Sequence, residues 1–286
     1  GVVLPGVRFR DNLGLPPKEY TIYIREQEVG RGQLEPDKLL AVAKNSAALA
    51  NLKGDDGRDP VTGLSGRWVA VSDKSMAENA GCQTYTPTEV LLRHLKTVAL
   101  RHAPQLWGRQ EMLNDLAPLL AGAISSDAQA QDRCFAVCHN LILEAVPLQV
   151  SSVAELVLDK SQPRQDVDSL SEQARLAAKA EICRSLTTNK SIPAAVLSQA
   201  LESRLQSAVS FGPKGLTIAD PTALEQALEG PVAQAVKALP GKPVLCVADD
   251  LRLAVRRLTQ RRFPQVTVLG RSEVAPGYSL QKALEI

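Results

Sequence analysis

Aromatic residues make up only 3% of this 286-residue chain, and it holds just three histidines. Single-stranded nucleic acids are gripped by stacking bases on aromatic rings, so the shortage counts against such a platform. Charge of one sign is lacking too. With 33 basic and 31 acidic residues the net charge is +2, too little for a global field that gathers polyanions. No apolar run approaches the roughly 18 to 20 residues that a membrane-spanning helix needs, and the N-terminus lacks the basic-then-apolar layout of a signal peptide. Five scattered cysteines, Cys82, Cys134, Cys138, Cys183 and Cys246, form no framework spacing and fit reduced core thiols in a cytoplasm. Neither the glycine spacing of a phosphate-binding turn nor a Gly-x-Ser-x-Gly elbow occurs, which removes the commonest nucleotide and serine-hydrolase chemistries.

What is present is ordinary for a folded protein: 44% hydrophobic and 22% charged residues. The length exceeds one compact domain, so two or more lobes are expected. Because Gly1 leads through Val2, Val3 and Leu4 directly into Pro5, the start reads as a cut in a longer chain whose membrane half is missing.

Tyr20-Thr-Ile-Tyr-Ile24 alternates as a strand does. Residues 36–52 turn polar and alanine-rich, and residues 54–60, dense in Gly and Asp, read as a surface loop. A strand at Trp68-Val-Ala-Val71 precedes a helix over 72–80 closed by Gly81. Thr86-Pro87-Thr88-Glu89 then caps a helix that runs to about His102. Residues 105–186 are helical throughout, with breaks at Pro118, 122–127, Pro147 and 161–166. Beyond them come a helix through Leu201, Leu205 and Val209, a strand at 216–218, helices over 220–228 and 232–239, a strand at 244–247, a helix over 251–262 and a strand at 266–269. Strands alternating with helices predict an α/β lobe.

Candidate chemistry is thin. Cys134-x3-Cys138-His139 puts two thiols beside an imidazole, but with Phe135, Val137, Leu141 and Ile142 it reads as a buried stripe, so neither metal nor cofactor is expected. Asp55-Asp56-Gly57-Arg58-Asp59 lacks the alternating ligands of a calcium loop and reads as a solvated turn. Arg252, Arg256, Arg257, Arg261 and Arg262 sit on a helix with Leu251, Leu253, Val255 and Leu258, as the wet face of an amphipathic helix or, alternatively, a nucleic-acid module. Asp249, Asp250 and Glu273, just past strand ends, are the acid and base groups that a stand-alone α/β enzyme would use.

Words spread along the chain carry a resemblance: Leu4-Pro5-Gly6-Val7-Arg8-Phe9-Arg10-Asp11-Asn12, Leu15-Pro16-Pro17-Lys18-Glu19-Tyr20, Gly63-Leu64-Ser65-Gly66-Arg67-Trp68-Val69, Pro87-Thr88-Glu89-Val90, Arg101-His102-Ala103 and Gly108-Arg109-Gln110-Glu111. Pro243-Val244-Leu245, Arg256-Arg257, Phe263-Pro264 and Glu273-Val274 continue it. Together they resemble the cytoplasmic domain of the export-gate family of type III secretion systems, found in flagella and virulence injectisomes, with the virulence members the closer. The match is strongest from Leu4 to Glu111 and looser between Cys134 and Leu158. Where the family usually has Ile-Arg-Asp after a Glu-x-Val-Pro turn, Glu144-Ala-Val-Pro147 is followed by Leu148-Gln149-Val150, which puts a salt bridge at that place in question.

The resemblance implies a mixed α/β chain of four subdomains: a discontinuous α/β one (1–31 and 81–104), a ferredoxin-like one inserted in it (32–80), a helical one (105–186) and a C-terminal α/β one (187–286). It implies a binding role rather than an enzyme, on the cytoplasmic face of the bacterial inner membrane, in a nonameric ring. The partners it implies are secretion chaperones with their substrates and other export-apparatus and gatekeeper proteins, with no nucleic acid and no cofactor. Trp68, Leu64, Tyr85, Thr86 and Glu89 are then the candidates for a chaperone cleft, with Trp68 equally placed to be plain core. Arg93, His94, Arg101, Arg109, Gln110 and Glu111 are the candidates for ring contacts.

Overall fold

The computed structural model describes residues 6–43, 45–161, 166–239 and 241–286, so the opening Leu4-Pro5 of the resemblance and most of the break at 161–166 lie outside the described residues. The described chain divides into two compact units, one up to Leu106 and the other from Trp107 to Ile286.

The first unit begins with a hairpin, β1 (Glu19–Ile24) against β2 (Gln27–Gln33). A four-stranded antiparallel sheet follows, built from β3 (Lys38–Val42), β4 (Asp55–Arg58), β5 (Ser65–Ala70) and β6 (Gln83–Tyr85) in the order β4-β5-β3-β6. With the short turn Ser46–Leu49 after β3 and helix α1 (Lys74–Asn79) after β5, the connectivity is that of a ferredoxin-like lobe. The lobe was expected to end at residue 80, yet its edge strand is β6 at 83–85, too short and too polar to show an apolar alternation. The stretch read as a surface loop is also structured: Lys38–Val42 is a central strand and Asp55–Arg58 an edge strand. Strand alternation sorts the sheet's two faces. Leu39, Ala41 and Val69 pack with Leu49, Leu52 and Ala77 on one, while Leu40, Val42 and Trp68 pack with Val90 on the other. Val90 belongs to α2 (Pro87–Arg101), and the short α3 (Ala103–Leu106) closes the unit.

The second unit opens with α4 (Arg109–Asn114), α5 (Pro118–Ser125), α6 (Ala128–Leu143), α7 (Val150–Leu158), α8 (Val167–Ala177) and α9 (Lys179–Leu186). Then come β7 (Ser191–Val196), α10 (Gln199–Ala208), the hairpin β8 (Val209–Gly212) with β9 (Gly215–Ile218), α11 (Pro221–Ala238), β10 (Val244–Val247), α12 (Arg252–Thr259), β11 (Thr267–Gly270) and β12 (Ser279–Glu285). The sheet β11-β10-β7-β12 is wholly parallel and covered on both faces. Ile192, Ala194, Val244, Cys246 and Leu269 share a core with helices α4 to α9, and Ala195, Leu245, Val247 and Val268 share another with α10 to α12. The 220–239 stretch is one helix rather than the two expected. Leu224, Leu228, Val232 and Ala235 form an unbroken buried stripe that holds α11 together across Pro231.

Candidate interaction surfaces

On the sheet face that packs against α2, Asp55, Trp68, Leu40 and Tyr85 lie side by side across the strands. Trp68 is only 3% exposed. Its indole lies so close over β4 that a Cβ added at Gly57 would approach it to 2.8 Å, so only glycine fits there. Trp68 is therefore a core residue, and the part of this face that looks outward is Leu64 and Tyr85, both half-buried against the same cluster. Thr86 and Glu89 are exposed but engaged with each other. Glu89 Nα donates to Thr86 Oγ1 at 3.2 Å and Thr86 Nα to Glu89 carboxylate at 2.7 Å, a capping box that starts α2. The Thr86 backbone N–H and the Thr86 hydroxyl, the latter at 2.9 Å, both donate to the Glu89 carboxylate and hold it below its ordinary range.

One cation organises the outward side. Arg93 of α2 lies 3.7 Å over the Tyr85 ring, and its two terminal nitrogens each donate to Asp59 at 3.4 Å. Asp59 is 1% exposed and also accepts from Thr62 Oγ1 at 2.7 Å. So the acidic stretch is an exposed edge strand rather than a turn, with Asp55 and Asp56 in surface pairs with Lys38 and Arg67, while buried Asp59 ties the 59–64 loop to α2. The next residue of α2, buried His94, shares a 2.8 Å hydrogen bond between its Nδ1 and the Tyr20 hydroxyl and so fastens the hairpin to the helix. Burial, then Asp59, pushes the Tyr20 phenol up to about 12. Burial, then Arg101, holds the His94 imidazole below its ordinary value, against a smaller opposing pull from Asp59.

That shift gives a signed prediction. His94 is neutral when folded and takes up a proton on unfolding at mildly acid pH, so the unfolded state binds more protons there and stability falls as pH drops below the ordinary imidazole value. Melting temperatures between pH 7 and pH 5.5 should decline for the native chain and flatten for His94→Gln. An equal slope in both would refute the assignment.

The ring candidates fall into two groups. Arg93 and His94 are committed inside the first unit, and Glu111 caps α4 by accepting from Gly108 Nα at 2.9 Å. Arg101, Arg109 and Gln110 are exposed. Arg109 pairs with Asp132 at 2.5 Å, an exposed pair of small energetic weight, and Gln110 donates to Asn114 at 2.9 Å.

In the second unit the arginine run divides: Arg257, Arg261 and Arg262 are exposed, as a wet face requires, but Arg252 and Arg256 are buried. Arg252 is 1% exposed, and its Nε donates to Glu172 at 2.5 Å and its Nη1 to Glu144 at 2.6 Å. Arg175, equally buried, donates to Glu144 at 3.0 Å and to Glu273 at 2.8 Å. Burial pushes the Glu144 carboxyl up, but Arg252 and Arg175 outweigh it and leave the group below its ordinary value, whereas at Glu172 burial prevails and the value is raised. Arg257 pairs with Asp168, Arg261 with Glu225 and Arg262 with Glu229. The exposed arginines each face a carboxylate, so this stretch presents mixed charge rather than a basic patch. The enzyme alternative loses Glu273, which is buried and also accepts from Gly270 Nα at 2.8 Å; exposed Asp249 accepts from Ser272 Nα at 2.9 Å and exposed Asp250 from Gln206 Nε2 at 3.4 Å. The salt bridge put in question after the Glu144 turn has no charges at Leu148-Gln149-Val150 to make it, but Glu144 itself anchors a different ion-pair network with Arg175 and Arg252. Sequence reasoning missed it because its carboxylates come from α8, from the end of α6 and from the loop after β11.

The chain matches the FHIPEP family over residues 1–279. It belongs to that family. It is 30% identical to the flagellar biosynthesis protein FlhA of Proteus mirabilis over 289 aligned residues, which take in 97% of this chain and 40% of that relative, so the chain spans well under half of the relative's length. Its fold is that of the Chlamydia pneumoniae CdsV protein, with a TM-score of 0.80 at 22% identity over 100% of this chain and 86% of the other. CdsV has also been seen in complex with CdsO. The nonameric SctV-C of EPEC is similar with a TM-score of 0.65 at 16% identity, over 96% of this chain and 85% of that one. Among the described residues no helix is long and apolar enough to cross a membrane.

Proposed function

We propose that this chain is the cytoplasmic domain of a type III secretion export gate, which docks chaperone-bound substrates and joins a nonameric ring beneath the inner-membrane export apparatus. Family membership carries the reading, and the nonameric state of SctV-C and the CdsV–CdsO complex support the ring and the protein partners. The four-subdomain division, the virulence branch and the gatekeeper contacts belong to the same proposal. The work is recognition rather than catalysis. A half-buried ring and an aliphatic side chain, held in place by Arg93 and Asp59, make a small apolar anchor point with a polar rim. Thr86 and Glu89 supply that rim while capping α2, and Trp68 backs it from inside. Arg101, Arg109 and Gln110 are the ring candidates still free to meet a neighbour.

The test uses a purified chaperone–substrate pair from the same secretion system. Tyr85→Ala and Leu64→Ser should each weaken its binding by tenfold or more, about 1.4 kcal/mol, while the melting temperature stays within a few degrees. Unchanged affinity in both folded variants would remove the docking surface from this face.

A further inference from the structure

In the second unit two cavities share a wall and make one elongated groove. The first, about 280 Å³, lies between the turn at 143–147, the end of α9 and the outer strand β11. The second, about 470 Å³, lies over 184–189 and the first residues of β7. Lys242, Ser185 and Leu186 line both. The first cavity adds an apolar lining of Leu143, Val146, Pro147 and Ile182, and the second the hydroxyl and amide groups of Thr188, Asn189 and Gln281.

The groove is lined by one carboxylate, Glu144, against the four cations Arg175, Arg184, Lys242 and Arg256. Arg184 and Lys242 stand exposed beside the shared wall, and among the described residues neither is engaged in an ion pair; Lys242 Nζ donates only to the Ser185 carbonyl, at 2.9 Å. Deeper in, the Arg256 side chain is 9% exposed. Its Nη1 donates to the Val266 carbonyl at 3.0 Å and its Nη2 to Leu143 at 3.4 Å, but its Nε has no hydrogen-bond partner, and the Glu144 carboxylate is 4.0 Å away. A buried donor left without an acceptor is costly, and an acceptor brought in by a ligand would satisfy it.

The same arginines show how a ligand is read. β11 is the outer strand of the sheet, and its unpaired edge carbonyls at Val266 and Val268 are taken by Arg256 and Arg175. An added strand finds those acceptors occupied, so recognition falls to side chains. No aromatic residue lines either cavity, so bases have nothing to stack on. A small anion would leave the apolar lining unused.

We propose that this groove docks an acidic peptide segment of a partner protein, with an aliphatic residue against the Leu143–Pro147 turn and carboxylates against Lys242, Arg184 and the Arg256 Nε. The site lies in the unit that does not carry Tyr85 and stands apart from the chaperone-docking proposal.

Fluorescence anisotropy on the whole chain tests it with three labelled peptides of one length: two leucines followed by glutamates and serines, the same with glutamine for glutamate, and the same with lysine. The acidic peptide should bind at least tenfold tighter than the glutamine peptide, and the lysine peptide should not bind. Lys242→Gln and Arg184→Gln together should cost the acidic peptide tenfold or more, with an unchanged melting temperature showing that the fold is intact. Tyr85→Ala should leave binding unaltered. Equal binding of the acidic and glutamine peptides, survival of binding in the double variant, or tighter binding of an oligothymidine would each overturn the proposal. Full displacement by millimolar inorganic phosphate, with no contribution from the leucines, would reduce the site to one for small anions and overturn it as well.

Discussion

Arg252→Met should lower the stability of the 107–286 unit by about 3–5 kcal/mol, one of the largest single losses open to this chain. The side chain is almost wholly buried and is shared between Glu144 and Glu172, so its removal strands carboxylates that have already lost their water. Glu144 keeps Arg175, but among the described residues Glu172 keeps no direct cation, and burial already raises its carboxyl above the ordinary value. Adding Glu172→Gln should therefore recover part of the loss, and the recovered part measures the coupling. Arg252→Lys retains the charge without the fork that reaches both acids and should fall between. Urea unfolding followed by Trp107 fluorescence reads this unit, since the other tryptophan, Trp68, is in the first. A loss under 1 kcal/mol in Arg252→Met would show that the network is more solvated than its burial indicates. Acid acts in the same direction through Glu144. Its folded value is depressed, so its contribution is complete above the ordinary carboxylate value and is lost as pH falls through the folded value.

Trp68→Ala should unfold or nearly unfold the first unit, at a cost of about 3–5 kcal/mol. The indole fills the space between the sheet and Val90 of α2, and glycine at 57 leaves no side chain that could move into the gap. Trp68→Phe should cost clearly less. The consequence reaches function. A failure of Trp68→Ala to bind a chaperone would report lost structure, whereas Tyr85→Ala separates binding from folding. Far-ultraviolet circular dichroism melts decide the point, and a Trp68→Ala variant that melts like the native chain would show that the indole is a surface group after all.

The residues explain which features were legible in advance. The start of α2 was, because Thr86, Pro87 and Glu89 signal a cap through contacts three residues apart. Helices α4 to α9 were, because their apolar spacing is sustained. β3 and β4 were not: Lys38–Val42 runs into an alanine-rich stretch, and Asp55–Arg58 has the composition of a turn although it pairs along β5. β12, Ser-Leu-Gln-Lys-Ala-Leu-Glu, hides as an exposed outer strand, and β7 hides behind Pro193, which pairs with β12 at a point where β10 has not yet joined it. The buried arginines were misread for a different reason. Periodicity assigns them to the polar face of α12, and only the tertiary fold brings Glu144 and Glu172 to meet that face. At the proposed docking surface Tyr85 and Leu64 were identifiable, but the Asp59–Arg93 pair beside them joins residues far apart in sequence and leaves no local mark.

Hydrogen exchange of the intact chain, alone and with a purified chaperone–substrate complex from its own secretion system, tests the docking claim most directly. Added protection should concentrate at 59–64 and 83–93, the loop, edge strand and helix start that surround Tyr85, and the α4–α9 helices should stay unchanged. Protection confined to the second unit, or none at saturating complex, would contradict the account.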